Sequence, residues 1–308
     1  MPKPYRDLAG YLKEKTGCKT AKICIDGGFT CPNRDGRCST GGCAFCGARG
    51  AGEFTIDPAV SIGEQVRVRL ANPLGGRRAA RFLAYFQNFS ATYAPADELR
   101  RRYDAALCDE RIVGLAVATR PDCIDEEIAA LLGEYAARMP VWVELGLQTA
   151  SEKTAGQMNI ACPRAAFAHA VSLLRARGVD SVAHMMVGLP GEGLAEAMDT
   201  LRLINAQPVA GIKIHSLYVM RGTALEALWR QGEYTPLTFD MYTETVARLI
   251  AGLRPDIVVH RLTGDCPRDT LLAPGWSAEK NKVLDRIHTI LRERGWHQGC
   301  LYEKDCLI

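Results

Sequence analysis

The 308-residue sequence has no uninterrupted apolar run of the roughly eighteen residues that a membrane-spanning helix requires. Its first residues, Met1-Pro2-Lys3-Pro4-Tyr5-Arg6, lack the apolar centre of a secretory signal. No low-complexity tract, internal repeat or linker-like stretch divides it. The formal charge is only +3. No charge excess therefore announces nucleic acid or a membrane surface as a partner, although a pI near 8.2 permits the former. These absences argue against a membrane protein, a secreted scaffold and a repeat array. They leave a cytoplasmic chain built as one large domain, or as one domain with an extension.

Apolar residues make up 47% of the chain, ample for a core, and there are twelve cysteines. Without a secretory signal these read as reduced thiols rather than a disulfide framework. Four of them, Cys31, Cys38, Cys43 and Cys46, fall in the glycine-rich stretch between Gly27 and Gly50. Glycines let the backbone bend tightly enough to bring several thiols to one place. Gathered thiolates bind a soft metal, and two readings stand: a zinc site closed by four ligands, or an iron–sulfur cluster.

The remaining chain alternates. Residues 5–16 pattern as a short helix and 22–26 as a strand ending at Gly27-Gly28, which places the cysteine loop at a strand's C-terminal end. Further strands are expected at 81–87, 112–119, 141–147, 179–187 and 210–219. Helices are expected between them, for example 125–138 with acidic residues in its first turn and 163–177 stopping at Gly178. Six strands alternating with helices imply a parallel sheet with sites at the strand ends. After residue 220 the rhythm changes to two helices, a strand at 256–262 and a last helix near 277–294. The expected division is 1–220 for the barrel and 221–308 for an extension over its mouth.

Cys31-Pro-Asn-Arg-Asp-Gly36 followed by Gly41-Gly-Cys-Ala-Phe-Cys46 resembles the cluster loop of the radical S-adenosylmethionine (SAM) superfamily. The likeness is to a bacterial branch related to the elongator catalytic subunit. It extends over roughly residues 5–295 and includes His260-Arg-Leu-Thr-Gly-Asp265 and Ala273-Pro-Gly-Trp-Ser277. It implies an α/β fold, a partial (β/α)6 barrel with a C-terminal α/β extension. It implies a [4Fe–4S] cluster on Cys31, Cys43 and Cys46 with one iron open to SAM, leaving Cys38 as an additional thiol: a spare, a substitute ligand or an oxidation partner. It also implies reductive SAM cleavage, hydrogen abstraction from a substrate, and an electron donor such as flavodoxin or ferredoxin. The substrate class it suggests is tRNA, at the side chain of a wobble uridine. A small metabolite, a protein substrate, or a non-catalytic binding protein stabilised by zinc or a cluster are the alternatives.

The resemblance also nominates residues. Gln87 and Asn88 after the second strand, Glu144 and Gln148 on the fourth, and Met185, Val187 and Gly188 on the fifth are expected around SAM, with Gln148 favoured over Glu144 for the ribose. Arg120 could grip a carboxylate, or pair internally with Asp122 or Glu144. Lys213 and His215 share one strand face, and with His260, Arg261, Asp265 and Lys280 they are the substrate-side candidates. Their other reading is a salt-bridge network tying the extension down. The branch's Arg-Ile-Asn-Arg-Gly-His segment is here Gln157-Met-Asn-Ile-Ala-Cys162, which keeps only Asn159 of its polar groups. Arg77-Arg78 and Arg100-Arg101-Arg102 could meet phosphates or simply face water. Cys300 and Cys306 read as free thiols, two being too few for a second cluster.

Overall fold

The computed structural model describes residues 3–50, 52, 54–73 and 79–303. Arg77, Arg78 and Cys306 lie outside them. Seven parallel strands form one curled sheet: β1 Thr20–Ile25, β2 Arg81–Phe86, β3 Ile112–Thr119, β4 Val141–Gln148, β5 Asp180–Val187, β6 Gly211–Ser216 and β8 Val258–Arg261, in that spatial order. The small strands β7 Val219–Met220 and β9 Leu271–Ala273 pair antiparallel beside it. The helices are α1 Leu8–Thr16, α2 Ile62–Ala71, α3 Ala96–Ala106, α4 Glu126–Ala136, α5 Glu152–Gln157, α6 Arg164–Ala176, α7 Leu194–Asn205, α8 Ala224–Arg230, α9 Phe239–Gly252 and α10 Lys280–Glu293. Among the described residues none is long and apolar enough to cross a membrane.

The six expected βα units are present. The strand expected in the extension is also part of the barrel wall: β8 pairs with β6, Gly211 opposite Val258. The sheet therefore runs past the division expected at residue 220. The N-terminal segment closes onto the same edge, where Val259 N–H donates to the Arg6 carbonyl at 2.8 Å.

Local chemistry sets the element ends. Asp125 caps α4 by accepting from Ile128 N–H, with Glu126 and Glu127 in the first turn beside the helix's positive end. Gly178, at φ +70°, lets the chain leave α6 in the left-handed region.

Strand alternation separates two layers. Outward side chains such as Ile23, Val117, Val143, Met185 and Ile212 pack against the helices in the main core. Inward ones near the strand starts, Leu83, Ala116, Trp142 and Val182, pack with Leu12 of α1, which plugs the barrel floor. Above that plug the inner face turns polar and lines an open cavity of about 860 Å³, whose wall also takes in residues of α1 and of the 54–73 segment.

A candidate cofactor cavity inside the barrel

The cysteine loop is built from its ends inward. At its base Asp26 is 4% exposed and accepts from Gly28 N–H, Asn88 Nδ2 (2.5 Å) and Arg49 (3.4 Å). Gln65 clasps the Asp26 backbone from both sides. Gly41 and Gly42 both adopt left-handed φ, at +78° and +81°, and turn the loop so that Cys43 faces inward. Asn159 secures that turn: its side chain donates to the carbonyls of Thr40 and Gly42 and accepts from Ser39. Its carbonyl in turn accepts from Asn33 at 2.6 Å, and Asn33 reaches the Cys43 sulfur at 3.5 Å.

Cys31, Cys43 and Cys46 all line the cavity, and Cys38 does not. Cys38 is exposed, with its thiol 3.8 Å from Asp122. Among the described residues no three His, Cys, Asp or Glu side chains converge tightly enough to hold a single metal ion. A polynuclear cluster is broader than an ion and suits thiols spread around a cavity end. Cys43 is drawn below the ordinary thiol range by its hydrogen bond with Cys46, helped by Arg120, Asn33 and Arg34. Cys46 is pushed well above that range by the same bond and by burial. Three thiols on one wall, two of them hydrogen-bonded to each other, are a donor set that an iron–sulfur cluster fits.

The other nominated residues divide. Gln87, Arg120, Glu144 and Gln148 line the cavity, as do Lys213, His215, His260, Arg261, Asp265 and Lys280. Four do not. Met185 and Val187 are buried on the outer face, against the helices. The inward residues of β5 are His184 and Met186, so the expectation had the strand out of phase by one residue. Asn88 is committed to Asp26 and Thr55 in the loop base. The Gly188 carbonyl accepts from Tyr234, and Gly188 is not on the cavity wall. Arg120 makes the internal pair anticipated for it, gripping Asp122 at 2.8 and 2.6 Å and donating to the Ala161 carbonyl.

Glu144 is fully buried with its oxygens occupied. Tyr85 donates to it at 2.5 Å, Lys22 lies at 2.6 Å, Trp142 donates at 3.2 Å, His184 sits at 3.2 Å, and Lys213 donates as well. These contacts hold it well below the ordinary carboxylate range against a strong opposing effect of burial. His215 and His260 are driven well below the usual histidine value by burial, and His184 to about 4. All three are neutral imidazoles at pH 7. His215 Nε2 and His260 Nδ1 are buried without a hydrogen-bond partner. Asp265 is shared by Arg261 (2.5 Å) and Lys280 (2.6 Å), an ion-pair network that lies on the cavity wall.

Sequence reasoning missed Lys22, Cys24, Tyr85, His184 and Met186 on the cavity wall. Lysine and histidine inside apolar strands were the available signal. The triple arginine on α3 is largely structural: Arg100 forks onto Glu134, and Arg102 pairs with Glu98 and lies over the Phe29 ring. Cys300 is a free thiol.

The Radical SAM superfamily model matches residues 34–204 and the Radical SAM C-terminal domain model matches 209–293. The uncharacterized protein YtqA of Bacillus subtilis is 36% identical over 98% of this chain and 94% of its own length. Protein YhcC of Escherichia coli K12 is 37% identical over 94% and 92%. A tRNA uridine(34) acetyltransferase of Dehalococcoides mccartyi is 30% identical over 62% of this chain and 40% of its own length. Among solved structures, the archaeal Methanocaldococcus infernus Elp3 superposes with a TM-score of 0.67 at 16% identity, over 91% of this chain and 64% of that one, a likeness of fold.

Proposed function

The chain belongs to the radical SAM superfamily, and on that premise we propose that Cys31, Cys43 and Cys46 hold a [4Fe–4S] cluster with SAM bound beside it. The observation that carries this reading is that Cys46 is hydrogen-bonded to Cys43 and interacts with Cys31 on one cavity wall; Cys24, Cys162 and Cys266 also line that wall, and Cys38 stands outside it. When bound, the two groups would supply the one-electron chemistry for hydrogen-atom abstraction from a substrate, with a donor such as flavodoxin or ferredoxin as the electron source.

The chain's own residues bind, orient and exclude water. Asn33 donates to the Cys43 sulfur, and Arg34 and Arg120 offset thiolate charge. Gln87, just after β2, and Gln148, at the end of β4, lie on the cavity wall and offer amide donors and acceptors to the polar ends of SAM. Gln148 holds φ at +66°, outside the usual range for a side-chain-bearing residue, which aims its amide off the strand line. Met186 supplies an apolar contact from β5. The inner-face apolar cluster with Leu12 of α1 forms an apolar floor.

For the substrate we favour tRNA at the side chain of a wobble uridine. Kinship to the tRNA uridine(34) acetyltransferase supports this. The basic side chains Lys22, Arg261 and Lys280 on the wall suit an anionic substituent. The test is anaerobic reconstitution followed by incubation with SAM and dithionite, with iron, sulfide and 5′-deoxyadenosine quantified. About four irons per chain with 5′-deoxyadenosine formed is the expected result. Stoichiometric zinc without SAM cleavage would sink the reading. Stimulation by tRNA from a strain lacking the gene, and not by wild-type tRNA, tests the substrate class.

A further inference from the structure

Inside the barrel, one carboxylate serves two ammonium groups. Glu144 is fully buried between Lys22 on β1 and Lys213 on β6. Two cations and one anion out of water leave an excess positive charge, and Arg261 on β8 adds to it. Buried excess charge is most readily relieved by loss of a proton. Lys213 is the more buried lysine, its side chain 5% exposed against 17% for Lys22. Lys22 also lies over two rings, Tyr85 at 4.5 Å and Trp142 at 5.0 Å, whereas Lys213 lies over Tyr85 alone.

The groups around Lys213 come from every neighbouring strand. They are Lys22 and Cys24 on β1, Tyr85 on β2, Glu144 on β4, His184 on β5, His215 on its own strand, His260 and Arg261 on β8, and Asp265 beyond β8. Only Glu144 and Asp265 are anionic, and Asp265 is already held by Arg261 and Lys280.

We propose that Lys213 is the proton-transfer residue of the cavity, a neutral amine facing the substrate and positioned by Glu144 and Tyr85, with Lys22 on the other side of the same carboxylate. Burial moves Lys213 down to about 7, with Glu144 resisting and Lys22 and Arg261 assisting. An amine that titrates near neutrality accepts and returns protons efficiently. The step is a proton exchange: a substrate X–H gives its proton to the Lys213 nitrogen, the electron pair stays on X, and the amine becomes ammonium. This deepens the reading above and rests on it for the substrate.

The cluster-loaded enzyme is pulsed with acetic anhydride from about pH 5 to about pH 10, and acetylation is mapped by peptide mass spectrometry. Lys213 should reach half its limiting reactivity near pH 7. Lys22→Met removes a neighbouring cation and should move that midpoint upward. The tRNA-stimulated formation of 5′-deoxyadenosine should rise through the same midpoint and move with it. Lys213→Arg, which keeps the charge but cannot titrate, should flatten that rise. A Lys213 midpoint near the ordinary value of about 10.4, no acetylation at Lys213, or a rise that stays fixed when the labelling midpoint moves would each overturn the proposal. Absence of 5′-deoxyadenosine at every pH would instead overturn the functional reading, because the labelling needs neither SAM nor substrate.

Discussion

The cavity's two ends are built differently. At the cysteine end, loops do the positioning: glycines with left-handed backbone, Asn159 bridging carbonyls, and Arg34 donating to the Gly47 carbonyl at 2.6 Å. Around Glu144, the strands do it, each adding an inward side chain at a height set by the parallel register. A loop site depends on local residues close in sequence, so it leaves a motif. A strand site joins Lys22, Tyr85, Glu144, His184 and Lys213 from five separate strands, and leaves only isolated polar letters in apolar runs. The first arrangement suits holding a cofactor. The second suits tuning charge in a site closed to water.

The largest effect that would break this contrast is at the loop. Cys43→Ala should reduce reconstituted iron and sulfide from about four per chain to background, whereas Cys38→Ala should leave both and SAM cleavage nearly unchanged. Colorimetric iron and sulfide assays check this, and loss of the cluster in the Cys38 variant would mean the wrong thiols were assigned.

Next in size is Glu144→Gln, which strands buried lysines without their anion. A loss of about 3–5 kcal/mol is expected from breaking a buried pair, read by urea unfolding. A loss below about 1 kcal/mol would show that the strand centre is solvated rather than a closed ion network.

Met185 and Met186 sharpen the comparison between sheet faces. Met185→Ala opens a hole in the outer core and should cost about 2–5 kcal/mol. Met186→Ala should cost clearly less and weaken SAM binding, measured by isothermal titration on the loaded enzyme. Equal stability losses would put both side chains in the same environment.

The smallest effect is in pH. His184 is held near 4 by burial and the Lys213 charge, below its unfolded value near 6.5, so unfolding takes up a proton between those values. Stability should therefore fall on acidification from about pH 6.5 toward about pH 4, by about 1.4 kcal/mol per unit for His184, with His215 and His260 acting in the same direction. The urea midpoint across this range, compared with His184→Gln, tests it: an unchanged slope in the variant would exclude His184 as a source.

The sequence by itself determined the order of strands and helices, the cysteine loop at the end of β1 and the family, because these rest on periodicity, caps and residues adjacent in the chain. The polar residues of β4 and β6 were also assigned to their correct face, since alternation fixes which residues share a side. Tertiary structure decided what alternation leaves open. It set which phase of β5 faces inward, sending Met185 and Val187 to the helices and Met186 to the cavity. It bent Asn88 away to Asp26, filled Glu144 with partners from other strands, and brought β8 into the barrel beside β6. The physical reason is range. A turn or cap is decided by neighbours in the chain, whereas a buried charge is decided by whichever strands the register brings to its height.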